Sequence, residues 1–114
     1  MINNKPTDNE SLQQELDLKQ KFNLETGKLN WQSIQSHFAR GVVIVVKPGL
    51  DLIDIAVQLS DDNAQVVERL IKQSDIVRAH DEHARGWVEK EPDFWALVVS
   101  PWVLIQEINT LDSG

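Results

Sequence analysis

The chain contains no cysteine, and this excludes several kinds of site at once. Disulfide bridges, thiolate metal ligands and cysteine nucleophiles all require that side chain. Glycine is also scarce, and the five glycines stand singly, so no glycine-rich loop is present to hold phosphate groups. The Gly-x-Ser-x-Gly pattern of an activated serine is absent as well. The sequence therefore shows no catalytic residue, and we expect no cofactor.

Basic residues are in the minority. Lysine and arginine total 11 against 18 aspartates and glutamates, which gives a formal net charge of −7 at pH 7. A surface with this charge repels phosphate backbones and anionic lipid headgroups. We therefore expect that the protein binds neither nucleic acid nor membrane surfaces.

Long apolar runs are missing too. The most apolar stretch, residues 95–106, is interrupted by Pro101 and is shorter than the roughly 20 residues that a membrane-spanning helix needs. Residues 1–12 are polar and lack the apolar segment of a secretory signal. We therefore expect a cytoplasmic protein.

The length of 114 residues matches one domain of the common size, about 100–150 residues. Hydrophobic residues at 41% and charged residues at 25% are ordinary for a globular protein, so a true core is expected. The polar residues 1–11 predict a mobile tail. Residues 12–108 are predicted to form a single α+β domain, and residues 109–114 a frayed C-terminus.

Apolar residues spaced by three and four predict four or five short helices, the first over residues 12–26. Three others are expected to begin at the capping residues Asn30, Asp51 and Asp62, and the last is expected to start with Asp81 and Glu82. Residues 51–60 are ambiguous, because their apolar positions also alternate as in a strand. The cap at Asp51 favours the helix.

β-Branched and aromatic residues predict a small three- to four-stranded sheet. Its strands are expected at residues 42–47, 76–79, 95–99 and 102–107. The alternation of strands and helices allows at least one parallel pair. All four tryptophans stand at positions predicted to face inward. Whether Pro101 forms a turn or a bulge stays open at this stage.

His80, Asp81, Glu82 and His83 form the most site-like cluster in the sequence. Two histidines three residues apart on a helix are close enough to share a metal, and carboxylates are able to complete the ligand set. The spacing is not His-Glu-x-x-His, however, and His80 is expected outside the helix. The favoured interpretation is a strand that runs into an acidic helix start. A metal-dependent protein or enzyme using this cluster is the alternative.

A degenerate helix-turn-helix is a third possibility. Ala56, Leu59, Ser60 and Val66 stand where such a motif places its small, apolar and turn residues. The second helix would present several acids to DNA, and phosphate contacts dominate DNA affinity. The sign of this charge argues against nucleic-acid binding.

Pro101, Trp102 and Val103 are predicted to form an interaction patch. Proline cannot donate to an internal ladder, so we expect this segment at or near a sheet edge. Exposed edges and apolar patches are usually covered. A homodimer through the C-terminal strand region is one such cover, and an unknown protein partner is another. The sequence as a whole favours a non-enzymatic protein-interaction or regulatory module.

Taken together, these residues resemble a family of small bacterial proteins described only as a domain of unknown function, DUF2288. The resemblance covers about residues 24–106. It is carried by Glu25-Thr26, Lys28-Leu29, Trp31, Phe38-Ala39-x-Gly41, Leu50-Asp51-Leu52, Ser60-Asp61-Asp62, Asp81-Glu82, Trp87 and Val98-Val99-x-Pro101-Trp102-Val103-Leu104-x-Gln106. Ser74 stands where the family pattern has glycine, and Gly27 where it has alanine. The resemblance implies a compact bacterial domain and no particular activity.

Overall fold

A computed structural model describes residues 7–60 and 64–108. Within these ranges the chain forms five helices and five strands, which confirms the predicted α+β class with a slightly larger sheet than expected. In chain order the elements are α1 (Thr7–Glu25), β1 (Gly27–Asn30), α2 (Trp31–Ala39), β2 (Val43–Val46), α3 (Leu52–Leu59), α4 (Ala64–Lys72), β3 (Ile76–Arg78), α5 (Asp81–Lys90), β4 (Asp93–Val99) and β5 (Trp102–Glu107).

The strands form one mixed sheet in the order β1-β4-β5-β2-β3. Only β2 and β5 are parallel, and their register places Val43 opposite Val103. This is the kind of parallel pair that the alternation of strands and helices allows. The edge position predicted for the segment around Trp102 is wrong, because β5 has a paired neighbour on each side. Pro101 lies in the turn before β5, outside the ladder, so its missing N–H removes no hydrogen bond between strands.

Helices cover both faces of the sheet. On one side, here called the α3 face, α1, α3 and α4 bury a cluster that includes Phe22, Ile55 and Leu70 against Leu97 and Leu104. On the other side, the α2 face, α2 and α5 bury a second cluster. This cluster contains Trp31, Ile34, Val43, Trp87, Phe94, Ala96, Val103 and Ile105. The central strands alternate between the two clusters, as the two-residue period of a strand requires.

Helix α1 begins at Thr7, five residues before the predicted start. Glu10, Gln13, Gln14 and Glu15 are good helix formers, which favours a helix that extends beyond the part packed on the core. Leu18 and Phe22 pack against the α3-face cluster, whereas Leu12 and Leu16 stay exposed. The predicted mobile tail covered residues 1–11; residues 7–11 belong to α1, and residues 1–6 lie outside the described residues. The predicted frayed end in 109–114 and the predicted cap at Asp62 also concern positions outside the described residues.

Two of the predicted caps are confirmed. Asn30 accepts the Ser33 backbone N–H through its side-chain oxygen at 3.0 Å. Asp51 accepts that of Ile53 at 2.9 Å, and residues 52–59 are helical, so the ambiguous segment is resolved. Strand β1 was not predicted, because its four residues have no strong apolar alternation. Pairing with β4 in an antiparallel ladder supplies the order that the local sequence lacks.

Candidate functional site

A groove of about 410 Å³ lies between α4 and the turn that joins β4 to β5. Helix α4 provides one wall, since its contributing residues follow the i, i+3, i+4, i+7 spacing of a single helix face. The lining residues are Leu59, Ala64, Val67, Glu68, Ile71, Arg78, Ser100, Pro101 and Trp102. The groove is therefore mainly apolar, with one cation and one carboxylate.

Trp102 forms the aromatic wall of this groove. One side of its indole packs against the α3-face cluster, so the side chain is half-buried. The Arg78 guanidinium lies over the ring, 4.9 Å from its centroid, as a cation–π pair. Of the ion pairs found among residues 7–60 and 64–108, none involves Arg78. Its N–H groups are therefore free of a carboxylate partner within that part of the chain.

The predicted interaction patch is only partly accessible. Pro101 is exposed and Trp102 half-buried, but Val103 is only 4% exposed because it faces the α2-face cluster. Sequence reasoning missed Ile71 and Arg78. Ile71 follows the helical spacing of a core residue, and only the packing of α4 shows that it stays partly exposed. Arg78 belongs to a strand two places away from β5, which no local pattern indicates.

The segment that forms α4 and β3 is less acidic than the chain as a whole. Residues 64–78 carry three basic side chains, Arg69, Lys72 and Arg78, against two acidic ones, Glu68 and Asp75. The chain as a whole has a net charge of −7. Arg69 donates a hydrogen bond to the Gln58 side chain at 2.9 Å, which ties α4 to α3. Within the groove lining, Arg78 is the cation that attracts a negatively charged group, and Glu68 is the one acid.

The histidine cluster is a helix start, as the favoured interpretation predicted. His80 is the N-terminal cap of α5, and its backbone N–H donates to His83 Nδ1 at 3.1 Å. The two rings lie with their centroids 4.1 Å apart. Burial, with a smaller contribution from neighbouring His80, lowers the pKa of His83 below its usual value. Asp81 and Glu82 occupy the first turn, where the helix dipole favours acids.

This geometry gives no support to a metal site. Across residues 7–60 and 64–108, no three histidine, aspartate or glutamate side chains are placed to hold a metal ion together. The Nδ1 lone pair of His83 is already engaged by the His80 N–H. A wide depression of about 590 Å³ does include His80, Asp81 and Glu82. It is open to solvent, and its exposed acids are explained by the helix start.

The helix-turn-helix alternative gains no specific observation either. Helices α3 and α4 stand in the expected order, but α4 packs on β3 and α3 and uses one side to line the groove. Residues 61–63, which would form the turn, lie outside the described residues.

One tryptophan prediction is wrong. Trp31 and Trp87 are buried, but Trp95 is 42% exposed. It lies on β4 beside the short edge strand β1, where Lys28 is its directly paired neighbour. The Lys28 ammonium lies 5.9 Å from the ring centroid. The sheet ends here, so the ring has no complete cover. In the described part of the chain, no helix is long and apolar enough to cross a membrane.

The fold and the groove thus define a small single-domain α+β protein with an apolar, arginine-flanked surface site. Residues 17–107 match the family model described as "Protein of unknown function (DUF2288)", and the chain belongs to that family. It is also similar to a protein from Pseudomonas aeruginosa, described as "NMR solution structure of PA1075". The two share 34% sequence identity with a TM-score of 0.68, over 80% of this chain and 84% of that one. Comparison with curated proteins gave no match.

Proposed function

We propose that this protein is a non-enzymatic interaction module of the cytoplasm that binds a protein partner through the groove between α4 and the β4–β5 turn. The observation that carries the proposal is the stack of Arg78 on Trp102 within an apolar groove. Tryptophan and arginine are the residue types that most often dominate binding energy at protein interfaces. The partner segment expected to fit has one or two apolar side chains and an adjacent carboxylate.

The groove has the layout of an interface centre. Ile71, Val67 and Pro101 offer apolar contact area, and the half-buried indole of Trp102 is already held in place by the core. A side chain held in place before binding loses little conformational freedom when a partner arrives. Arg78 lies over the ring, and a guanidinium is suited to pair with a planar acceptor such as a carboxylate.

Site-specific photo-crosslinking in the cell tests this proposal. A benzophenone amino acid is placed at Ile71, which lines the groove. In a matched variant it is placed at Val98, which is also exposed but lies on the α2 face. The groove position should give a discrete covalent adduct, and the Val98 position should not. Adding Arg78→Glu to the groove variant should abolish the adduct, because the cation that attracts the partner carboxylate is reversed.

Two results would count against an interaction groove. One is the absence of any adduct from position 71 in cells that contain the folded variant. The other is the same set of adducts from positions 71 and 98, which would indicate only random encounters.

A further inference from the structure

We propose that the groove binds helix α1 of a second copy of this chain, so that two copies exchange their α1 helices around a two-fold axis. The inference rests on the proposed function, because it names the partner of the same groove. It keeps the predicted homodimer but replaces the strand edge with a helix and a groove as the contact.

Helix α1 carries an apolar stripe that the monomer does not cover. Leu12 is 60% exposed and Leu16 is 58% exposed. At a spacing of four residues, the two side chains lie next to each other on one face of the helix. Leu18 and Phe22, further along, are the α1 residues that pack against the core cluster. The stripe therefore begins where the contact of α1 with its own domain ends.

The stripe and the groove are complementary in chemistry. Two leucines match an apolar groove of about 410 Å³ lined by Val67, Ile71 and Trp102. Acids outnumber bases along this part of α1: residues 10–17 contain Glu10, Glu15 and Asp17 and no base, and Lys19, one turn beyond Leu16, pairs with Glu15 and with Asp54 of α3. The groove presents the Arg78 guanidinium beside one acid, Glu68, in a segment that carries three bases and two acids. Opposite charges on two faces of this kind orient the encounter and favour one register.

Helix α1 cannot reach the groove of its own chain. On the α3 face, α1 contacts α3 and β4, whereas α4 contacts α3 and β3. Strands β4 and β3 are separated by β5 and β2, so α3 lies between α1 and the groove. Exchange with a second copy places each stripe in the other copy's groove. Both contacts are then identical, and the assembly closes as a dimer rather than growing into a fibre.

Sedimentation equilibrium of the whole chain over a range of concentrations provides the first test. The wild type should form a dimer. The double variant Leu12→Glu/Leu16→Glu and the single variant Ile71→Glu should each weaken it about tenfold or more, because each places a carboxylate in an apolar contact. Leu24→Glu is the matched control, since Leu24 is 78% exposed on the same helix but lies off the stripe. It should leave the dimer unchanged.

Mixing the two weakened variants gives a sharper test. The leucine double variant retains an intact groove, and Ile71→Glu retains an intact stripe. A mixed dimer therefore contains one native contact, whereas neither variant alone contains any. The mixture should associate about tenfold or more tightly than either variant by itself. Pairing of α1 with α1, or of groove with groove, predicts no such gain.

The outcomes separate this inference from the proposed function. A monomeric wild type at high micromolar concentration overturns the exchanged dimer, as does a mixture no tighter than its components. If position 71 still crosslinks to a different protein in the cell, the interaction groove stands while its self-association is refuted. If no adduct forms either, both are refuted.

Discussion

Gln106 should be a major stabilising residue of the loop between β2 and α3. Its side-chain Nε2 donates to the Lys47 carbonyl oxygen at 3.0 Å and to that of Leu50 at 2.7 Å. Both acceptors lie more than fifty positions away in the sequence, so one amide connects the last strand to the turn at Pro48 and Gly49. A net contribution of about 0.5–1.5 kcal/mol per hydrogen bond applies here.

Gln106→Met keeps the length of the side chain and removes both donors. Because the Lys47 contact is exposed, we expect a loss in the lower part of the range, about 1–2 kcal/mol in the free energy of unfolding. For a domain of this size that corresponds to a fall in Tm of about 4–8 °C. Urea denaturation followed by tryptophan fluorescence measures it. Gln106→Glu should be less stable still at neutral pH, because its carboxylate would face two carbonyl oxygens.

Gln35→Met on the exposed side of α2 is the matched control and should change the stability by less than about 0.5 kcal/mol. If Gln106→Met also stays within that limit, the side chain does not hold the loop, and the reasoning is refuted.

Three further predictions concern single side chains. The pKa of His83 is lowered on folding, so the unfolded chain binds more protons below about pH 6.5 and the stability falls as the pH drops. His83→Gln retains an acceptor for the His80 N–H and should flatten this pH dependence in urea titrations at pH 5.5 and 7.5. An unchanged dependence of stability on pH would contradict the assignment to His83. The buried Trp31 Nε1 has no partner among the described residues, whereas Trp87 Nε1 donates to the Glu107 carboxylate at 3.5 Å. In thermal unfolding, Trp31→Phe should therefore lower the stability less than Trp87→Phe does. The reverse order would be evidence of a hidden acceptor at Trp31. Ser74 has a φ of 64°, in the left-handed region that favours glycine. Ser74→Gly should therefore raise the stability in thermal unfolding by about 0.5–1 kcal/mol. A loss of stability would show that the Ser74 side chain makes a compensating contact.

Local signals in the sequence predicted the elements that are defined locally. The caps at Asn30 and Asp51 lie a few residues from the N–H groups that they satisfy, and both were correctly identified. The strands at Val43–Val46 and Trp102–Glu107 were also predicted, because runs of β-branched residues favour a pleated, buried surface.

The order of the strands was not predictable in the same way. Pro101 suggested an edge, but the structure places it in a turn and leaves β5 in the interior of the sheet. Strand β1 is ordered by β4, more than sixty residues away, and no window around Gly27 contains that information. The candidate site likewise contains one residue that local context indicated and one that it did not. Trp102 was selected from its apolar context, whereas Arg78 reaches it only through the pairing of β2 with both β3 and β5.

The central claim is that the groove around Trp102 binds a second copy of the chain, and 19F NMR of the chain labelled with 5-fluorotryptophan tests it most directly. The four resonances are assigned with single Trp→Phe variants, and spectra are recorded from micromolar to millimolar concentration. Trp102 should shift along a saturable binding curve, because its half-buried ring becomes covered by the second copy. Trp95, which is also partly exposed but lies outside the groove, should stay in place. A Trp102 resonance that does not move, or one that moves only in parallel with Trp95, would contradict the account.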